Sequence, residues 1–373
     1  MPHAKLFEPV PVAHLEVPNR LWMPPMCQYS AEATGPRMGM PTDWHRVHYG
    51  ASALGGVGAV IIEATAVAPE GRISVNCLSF HEDDRIPAFA ELARLIHAGG
   101  AAAFVQLNHA GRKGSARAGW LQGHAGPDEG GWPVVGASPV PFATGWPVPR
   151  ELSDAEVEGV VEDFAHAARR AVEAGFDGVQ VHAAHGYLIH QFLSPASNHR
   201  TDRWGGDFAG RTRLAREVVR AIRDAIGDAA LLVRVSATDW TQEYPEDGRP
   251  GWTLEDTRAL APLLVEDGAD MVNVSTGGNV PDARIGSGPG YQVFAAAAVR
   301  EAVGTGGGRC VPVAACGLVL APEQAEQILV DGRADVVEIG RVMLTDPMAP
   351  RVWRRRLRVD PGWPPQLERG TAR

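Results

Sequence analysis

The sequence predicts an α/β chain, a (β/α)8 barrel with long loops over its carboxyl face. Three observations carry that reading. A unit of helix, capping glycine, turn and strand recurs. Glu173-Ala-Gly-Phe-Asp-Gly-Val179, Glu266-Asp-Gly-Ala-Asp-Met-Val272 and Asp331-Gly-Arg-Ala-Asp-Val-Val337 each follow a helix-period segment and lead into a short apolar run. Each glycine sits where a helix end needs φ > 0. Eight short runs rich in β-branched residues alternate with amphipathic segments, the pattern of buried parallel strands joined by crossover helices. Finally, no Gly-rich turn opens a helix after an early strand. Gly286-Ser-Gly-Pro-Gly290 and Gly306-Gly-Gly308 read as loops, which disfavours a doubly wound sheet with its own dinucleotide half-domain.

In chain order the strands fall at Leu21–Met26, Ala59–Thr65, Ala102–Asn108, Gly178–His182, Leu231–Ser236, Met271–Ser275, Val311–Ala315 and Val336–Ile339. Helices are expected at Pro87–His97, Asp154–Ala174, Phe208–Ile226, Leu254–Glu266, Pro322–Val330 and Pro347–Leu357, the second opened by the capping box Ser153-Asp-Ala-Glu156. Residues 1–373 read as one domain, because barrels of this kind often exceed 250 residues. Two connections are long, 109–152 with Trp120, Trp132 and Trp146, and 237–253 with Trp240, Tyr244, Pro245 and Trp252. Both follow strands, so both are expected as lids or subsite walls over the barrel mouth. Residues 359–373 form a C-terminal tail.

Composition narrows the function classes. A net charge of −9 argues against nucleic acid and anionic membrane as partners. No run of 18 apolar residues exists, and the N-terminus lacks the basic and apolar regions of a signal peptide. The four cysteines, Cys27, Cys77, Cys310 and Cys316, contain no Cys-x-x-Cys pair. They read as reduced thiols of a cytoplasmic protein. Only Lys5 and Lys113 are lysines among the 35 basic residues.

In a barrel of this kind chemistry sits where the strands finish. The first strand ends Met23-Pro-Pro-Met-Cys27-Gln-Tyr29, the second Glu63-Ala-Thr65, and the third Gln106-Leu-Asn-His-Ala-Gly-Arg112-Lys113. The fourth ends His182-Ala-Ala-His185-Gly-Tyr187, the fifth Arg234-Val-Ser236, the sixth Ser275-Thr-Gly-Gly278, the seventh Ala315-Cys-Gly317 and the eighth Ile339-Gly-Arg341. So many polar groups need partners, and a planar polar ligand would supply them. His182 and His185 read as substrate hydrogen-bonders, as a metal pair without a placed third ligand, or as core histidines. Tyr187 beside them reads as an acid. Arg234 is expected on an anionic ligand edge rather than a structural carboxylate. Cys27 reads as a cofactor contact or as a small buried hydrophobe. Gly317 and Gly340-Arg341 follow strands seven and eight, the position of a phosphate site. His45-Arg-Val-His48 and the Arg-rich 351–358 segment carry no spacing that points to chemistry.

At these residues the chain resembles a known family. Pro25-Met-Cys-Gln-Tyr29, Gln106 to Lys113, His182 to Pro195, Asn198-His-Arg-Thr-Asp-Arg-Trp-Gly-Gly206 and Gly340-Arg341 are similar to the Old Yellow Enzymes. Cys27 and the closing Pro365-Gln-Leu-Glu-Arg369-Gly resemble their thermophilic-like subgroup of NADPH dehydrogenases. The resemblance implies an FMN-dependent ene-reductase that passes hydride from NADPH or NADH through flavin N5 to enone-type alkenes, by a ping-pong route. It implies that Pro24, Pro25, Met26, Cys27, Ala64 and Gln106 line the flavin and that Arg234 faces the edge that becomes negative on reduction. Gly317, Gly340 and Arg341 would hold the phosphate. His182, His185 and Tyr29 would contact substrate, Tyr187 would donate the proton, and no metal is expected. Arg369 would reach a neighbouring subunit's site in a homodimer or homotetramer. Leu367 stands where that subgroup leads one to expect an aromatic, and the 237–253 loop looks longer than usual. A metal-dependent barrel hydrolase, with Glu63 as the strand-end carboxylate, a Schiff-base aldolase and a non-catalytic binding barrel are the rivals. The aldolase is disfavoured because no lysine lies on a strand.

Overall fold

The computed structural model describes residues 4–242, 248–305 and 309–370. Tyr244, Pro245 and the glycine run at 306–308 lie outside the described residues. Eight parallel strands form the barrel: β1 (Leu21–Trp22), β2 (Ala59–Ala66), β3 (Ala102–Asn108), β4 (Gly178–Ala183), β5 (Ala230–Ser236), β6 (Met271–Ser275), β7 (Val313–Ala315) and β8 (Val336–Glu338). Each pairs with its sequence neighbours, and β8 pairs with β1 through Val337↔Leu21 and Glu338↔Trp22. The ring closes at a bridge between Met23 and Val60, where Met23 N–H donates to Ala59 O at 2.9 Å and Ile61 N–H to Met23 O at 3.0 Å. This is the expected (β/α)8 barrel.

The capping logic holds. Gly175, Gly268 and Gly332 have φ of +89°, +119° and +67°, and the Ser153–Glu156 capping box is made. Two strands are shorter than expected for one reason. Pro24-Pro25 ends β1 and Pro312 delays β7 to Val313, since proline offers no N–H to a ladder. The last expected helix is found as α10 (Ala349–Arg356), which starts after Asp346-Pro347, where the Asp346 carboxylate accepts from Met348 N–H at 2.9 Å. The other expected helices are found as α2 (Ile86–Ala98), α3 (Asp154–Glu173), α5 (Phe208–Ile226), α6 (Leu254–Glu266) and α8 (Pro322–Val330).

Four helices were not anticipated, one of them the six-residue α9 (Gly340–Thr345). In α1 (Asp43–Leu54) the buried face is His45, Tyr49, Ser52 and Ala53, too polar to show as an apolar stripe. In α7 (Val293–Thr305) a run of alanines blurs the contrast between faces. The short α4 (Leu188–Leu193) is buried throughout. An N-terminal hairpin, Val10–Val12 with Leu15–Val17, also escaped the reading.

The barrel interior is built in layers. The hairpin's Val10, Val12 and Val17 pack with Trp22, Phe104, Leu232, Met271, Ala314 and Val336 at the floor, where Trp22 and Phe104 stack at 5.7 Å. Side chains alternate along a strand, so the residue two further on also points inward. Phe104 is thus followed by Gln106, Leu232 by Arg234, Met271 by Asn273, Ala314 by Cys316 and Val336 by Glu338. One step of period two converts an apolar floor into a polar mouth. Among the described residues no helix is long and apolar enough to cross a membrane.

The floor has no slack. A Cβ on Gly178 would lie 2.0 Å from Ala230 O. Gly178→Ala should therefore lower stability by about 3 kcal/mol, the upper end for overpacking, in denaturant unfolding. An unchanged midpoint would show that β4 and β5 can move apart.

Candidate active site

The polar layer pairs only partly with itself. Gln106 Nε2 donates to Gln180 Oε1 at 2.7 Å. Arg234 donates from Nη1 to Glu338 Oε2 at 3.2 Å and from Nη2 to the Cys316 sulfur at 3.5 Å. Asn273 Nδ2 donates to Glu338 Oε1 at 2.6 Å. Burial pushes the Glu338 carboxyl pKa up, with Arg234 and Asn273 opposing it. Among the described residues, Gln180 Nε2, Arg234 Nε and Asn273 Oδ1 are buried without a hydrogen-bond partner. Such atoms imply a bound group that supplies the missing partners. Two expectations are corrected here. Arg234 does meet a structural carboxylate, and Glu63 is not the only carboxylate at a strand end. Glu338 was hidden inside the apolar run Val336-Val-Glu-Ile339, although its register with Val336 points it inward.

A cavity of about 320 Å³ brings Pro24, Pro25, Met26, Arg234, Gly317, Gly340 and Arg341 together, with Cys316 and Glu338 in its wall. Its glycines are closely packed against their neighbours. A Cβ on Gly340 would lie 3.0 Å from Met26 Sδ. Gly317 has φ of +107°, and a Cβ there would lie 2.9 Å from Gln292 Cβ. Arg341 is exposed at the rim.

Cys27, Ala64, Tyr29 and Tyr187 cluster beside this cavity with Cys77, Ile73 and Ala110. A hydrogen bond with the Cys77 thiol, then burial, holds the Cys27 pKa well above the ordinary thiol value. Cys77 was not singled out from sequence, because only the fold brings it to Cys27. Behind Cys27 the Glu63 carboxylate accepts from Gln28 N–H at 2.7 Å and Tyr49 OH at 3.1 Å and lies 3.1 Å from His45 Nε2. Glu63 therefore ties the Gln28 segment beyond β1 to the helix that carries His45 and Tyr49.

The histidine–tyrosine block is a strained turn. His182 closes β4, and Ala184 N–H donates to its Nδ1 at 3.3 Å, which leaves the proton of the neutral ring on Nε2. His182 Nε2 lies 3.4 Å from His185 Nδ1, and His185 Nε2 lies 2.7 Å from Ser275 Oγ. Burial, reinforced for both by the nearby Arg234 and Lys113 charges, keeps each imidazole pKa well below its usual value. His185 and Gly186 have φ of +58° and +73°, and a Cβ on Gly186 would lie 2.4 Å from Gly278 O. His190 Nδ1, backed by Asp239, accepts from Gly186 N–H at 2.9 Å. Lys113 Nζ donates to His185 O at 2.8 Å and Gly278 O at 2.9 Å, and burial lowers its pKa to about 7. From sequence Lys113 was only a loop lysine, yet it braces this turn. Tyr187 follows directly, its ring edge-on to His182 at 4.9 Å. Burial raises its phenol pKa well above the usual value, so the hydroxyl stays protonated.

The long loops are divided in role. In 109–152, Trp120 meets the Tyr29 ring edge-on at 5.5 Å, and Phe142 lies 4.4 Å from Lys113 Nζ. In 237–253, Trp252 is fully buried against Phe208 and is no subsite wall. The Asn198–Gly206 block is structural glue. Asn198 Nδ2 donates to Phe192 O and Trp204 O, and Arg200 holds Leu152 O and Asp202. Arg369 lies in an exposed turn of the tail (Glu368–Gly370). Among the described residues, no three of His, Cys, Asp or Glu group as metal ligands.

A flat group with donors and acceptors on one edge and a phosphate at its far end fits this mouth. The unpartnered Arg234 guanidinium nitrogen shares one cavity with the Gly317/Gly340 cradle, and the unpartnered Gln180 amide belongs to the same polar layer. That combination defines a barrel flavoprotein. The chain belongs to the NADH:flavin oxidoreductase / NADH oxidase family, whose model matches residues 5–358. It is the FMN-binding family that the strand-end motifs resemble. Over 365 residues it is 40% identical to an NADPH dehydrogenase of Geobacillus thermodenitrificans, covering 98% of both chains. Among solved structures, morphinone reductase superposes with a TM-score of 0.75 at 26% identity, over 94% of this chain and 90% of that one. A 2-naphthoyl-CoA reductase superposes with a TM-score of 0.79 at 27% identity over 93% of this chain, which spans only 51% of that longer chain.

The neutral histidines set a pH dependence. Unfolded, they take up protons near pH 6.5, whereas the folded site resists protonation until well below that value. Stability is therefore lost as pH falls below about 6.5. Removing one such group, as in His182→Gln, should flatten the loss of urea stability between pH 7.5 and 5.5. An unchanged slope would mean that His182 takes up its proton over the same pH range folded and unfolded.

Proposed function

We propose that this chain reduces the activated C=C bonds of α,β-unsaturated carbonyls and related electron-poor alkenes, with NADPH or NADH as donor in a ping-pong cycle. One observation supports this above the rest. Two neutral imidazoles and one protonated phenol share a single braced turn beside a flavin-shaped mouth. When bound, FMN accepts hydride from the nicotinamide and returns it to the alkene. Pro24, Pro25, Met26, Cys27, Ala64 and Gln106 would line its ring, Arg234 its polar edge, and Gly317, Gly340 and Arg341 its phosphate.

The chain's own residues handle the carbonyl and the proton. His182 and His185 donate hydrogen bonds to the carbonyl oxygen and so draw charge from the alkene. Neutral rings suit this role, since each still carries one N–H. Tyr29 contacts the substrate from the β1 side. Tyr187 gives its hydroxyl proton to the α-carbon as the β-carbon gains hydride, and the phenolate recovers a proton from solvent. Its raised pKa makes the phenol a reservoir that is full at neutral pH. Arg369, exposed on the tail, would serve a neighbouring copy's site in a homodimer or homotetramer. Free cysteines among the described residues accord with a cytoplasmic protein.

The test separates the half-reactions. General acids contribute about 10²–10⁴-fold. Tyr187→Phe should slow enone reduction by that factor in stopped flow, while flavin reduction by NADPH stays near normal. An equal fall in both half-reactions would make Tyr187 a structural residue and overturn the assignment.

A further inference from the structure

Arg234 alone would present a full positive charge to the flavin's polar edge. It is not alone. Its Nη1 is spent on Glu338 at 3.2 Å, inside a pair whose side chains are 8% and 1% exposed. Glu338 itself lies in the wall of the cavity that holds Pro24–Met26 and the Gly340 cradle. Its second oxygen accepts from Asn273 Nδ2 at 2.6 Å, so both oxygens are engaged. Asn273 stands beside Arg234 in the register of β5 and β6, and Glu338 is brought in from β8 across the barrel. Three strands thus build one buried charge pair directly under the mouth.

We propose that Glu338, seated by Asn273, is a positioning residue that sets how strongly Arg234 favours the reduced, negatively charged flavin. The inference rests on the FMN reading above. A buried carboxylate at this distance offsets much of the guanidinium's field, and the low dielectric makes the offset large. It also fixes the guanidinium's pose, leaving Nε as the nitrogen without a protein partner among the described residues. The pair holds the flavin's affinity for electrons below the level that a lone arginine would give. Such a setting eases hydride release to the alkene in the second half-reaction.

The experiment uses the FMN-loaded protein and sulfite, which adds reversibly to flavins and binds more tightly as their potential rises. Glu338→Gln removes the charge and keeps the shape. It should tighten the sulfite dissociation constant about tenfold, equivalent to about 30 mV for a two-electron couple, with a matching rise in the measured midpoint potential. Asn273→Leu, which withdraws the hydrogen bond that favours the ionised carboxylate, should shift both in the same direction by less. Glu338→Asp, which restores the charge, should return both toward wild type. If FMN is bound and neither the sulfite constant nor the potential moves in Glu338→Gln and Asn273→Leu, Glu338 is only structural and the inference falls. If the wild-type chain takes up no FMN, the flavin reading fails first, a distinct outcome.

Discussion

A ring of polar side chains sits two residues above an apolar floor, and the rest of the site follows from that change. Five of the barrel strands carry an inward apolar residue and then, one period later, a polar one. The floor, plugged by the N-terminal hairpin, keeps water and slack out from below. Above it, Gln106, Gln180, Arg234, Asn273 and Glu338 satisfy one another only in part. An unmade hydrogen bond on a buried group costs about 1–3 kcal/mol. A barrel that keeps several of them is a receptor for a ligand that completes them.

The histidine–tyrosine turn is organised by the same economy of partners. His185 and Gly186 adopt backbone angles that L-residues rarely take, and such strain persists only where surroundings enforce it. Lys113 holds the turn's carbonyl, Ser236 accepts from its amide, and His190 with Asp239 anchors the next residue. The outcome is a pair of imidazoles and a phenol kept in one orientation with little freedom to relax. Burial keeps the imidazoles neutral and the phenol protonated, the states that the proposed carbonyl-binding and proton-donating roles require at neutral pH. Position and protonation state thus come from a single cause, the enclosure of the turn.

Much of this was legible in the chain. The eight strands, their capping glycines and most helices followed from period and punctuation, and the strand-end residues Pro24, Pro25, Met26, Arg234, Gly317, Gly340 and Arg341 do line one cavity. What stayed hidden had physical reasons. Helix α1 buries histidines and a tyrosine, so it carries no apolar stripe. Glu338 was masked by its apolar neighbours, and only its register reveals that it points inward. Lys113 and Cys77 act through contacts distant in sequence, with His185 and Cys27 respectively. Arg234 was expected to face a ligand alone because no strand-end carboxylate near it had been recognised. The wall proposed for Arg369 would belong to a neighbouring copy, so a single chain's folding pattern does not display it.

The most direct measurement of the central claim is a crystal structure of the FMN-loaded protein, read at three buried atoms. The account predicts that Gln180 Nε2, Arg234 Nε and Asn273 Oδ1 each gain a hydrogen bond, to the flavin ring or to a water that the ring holds in place. A flavin seated away from this layer, with those atoms satisfied by rearranged protein side chains alone, would contradict it.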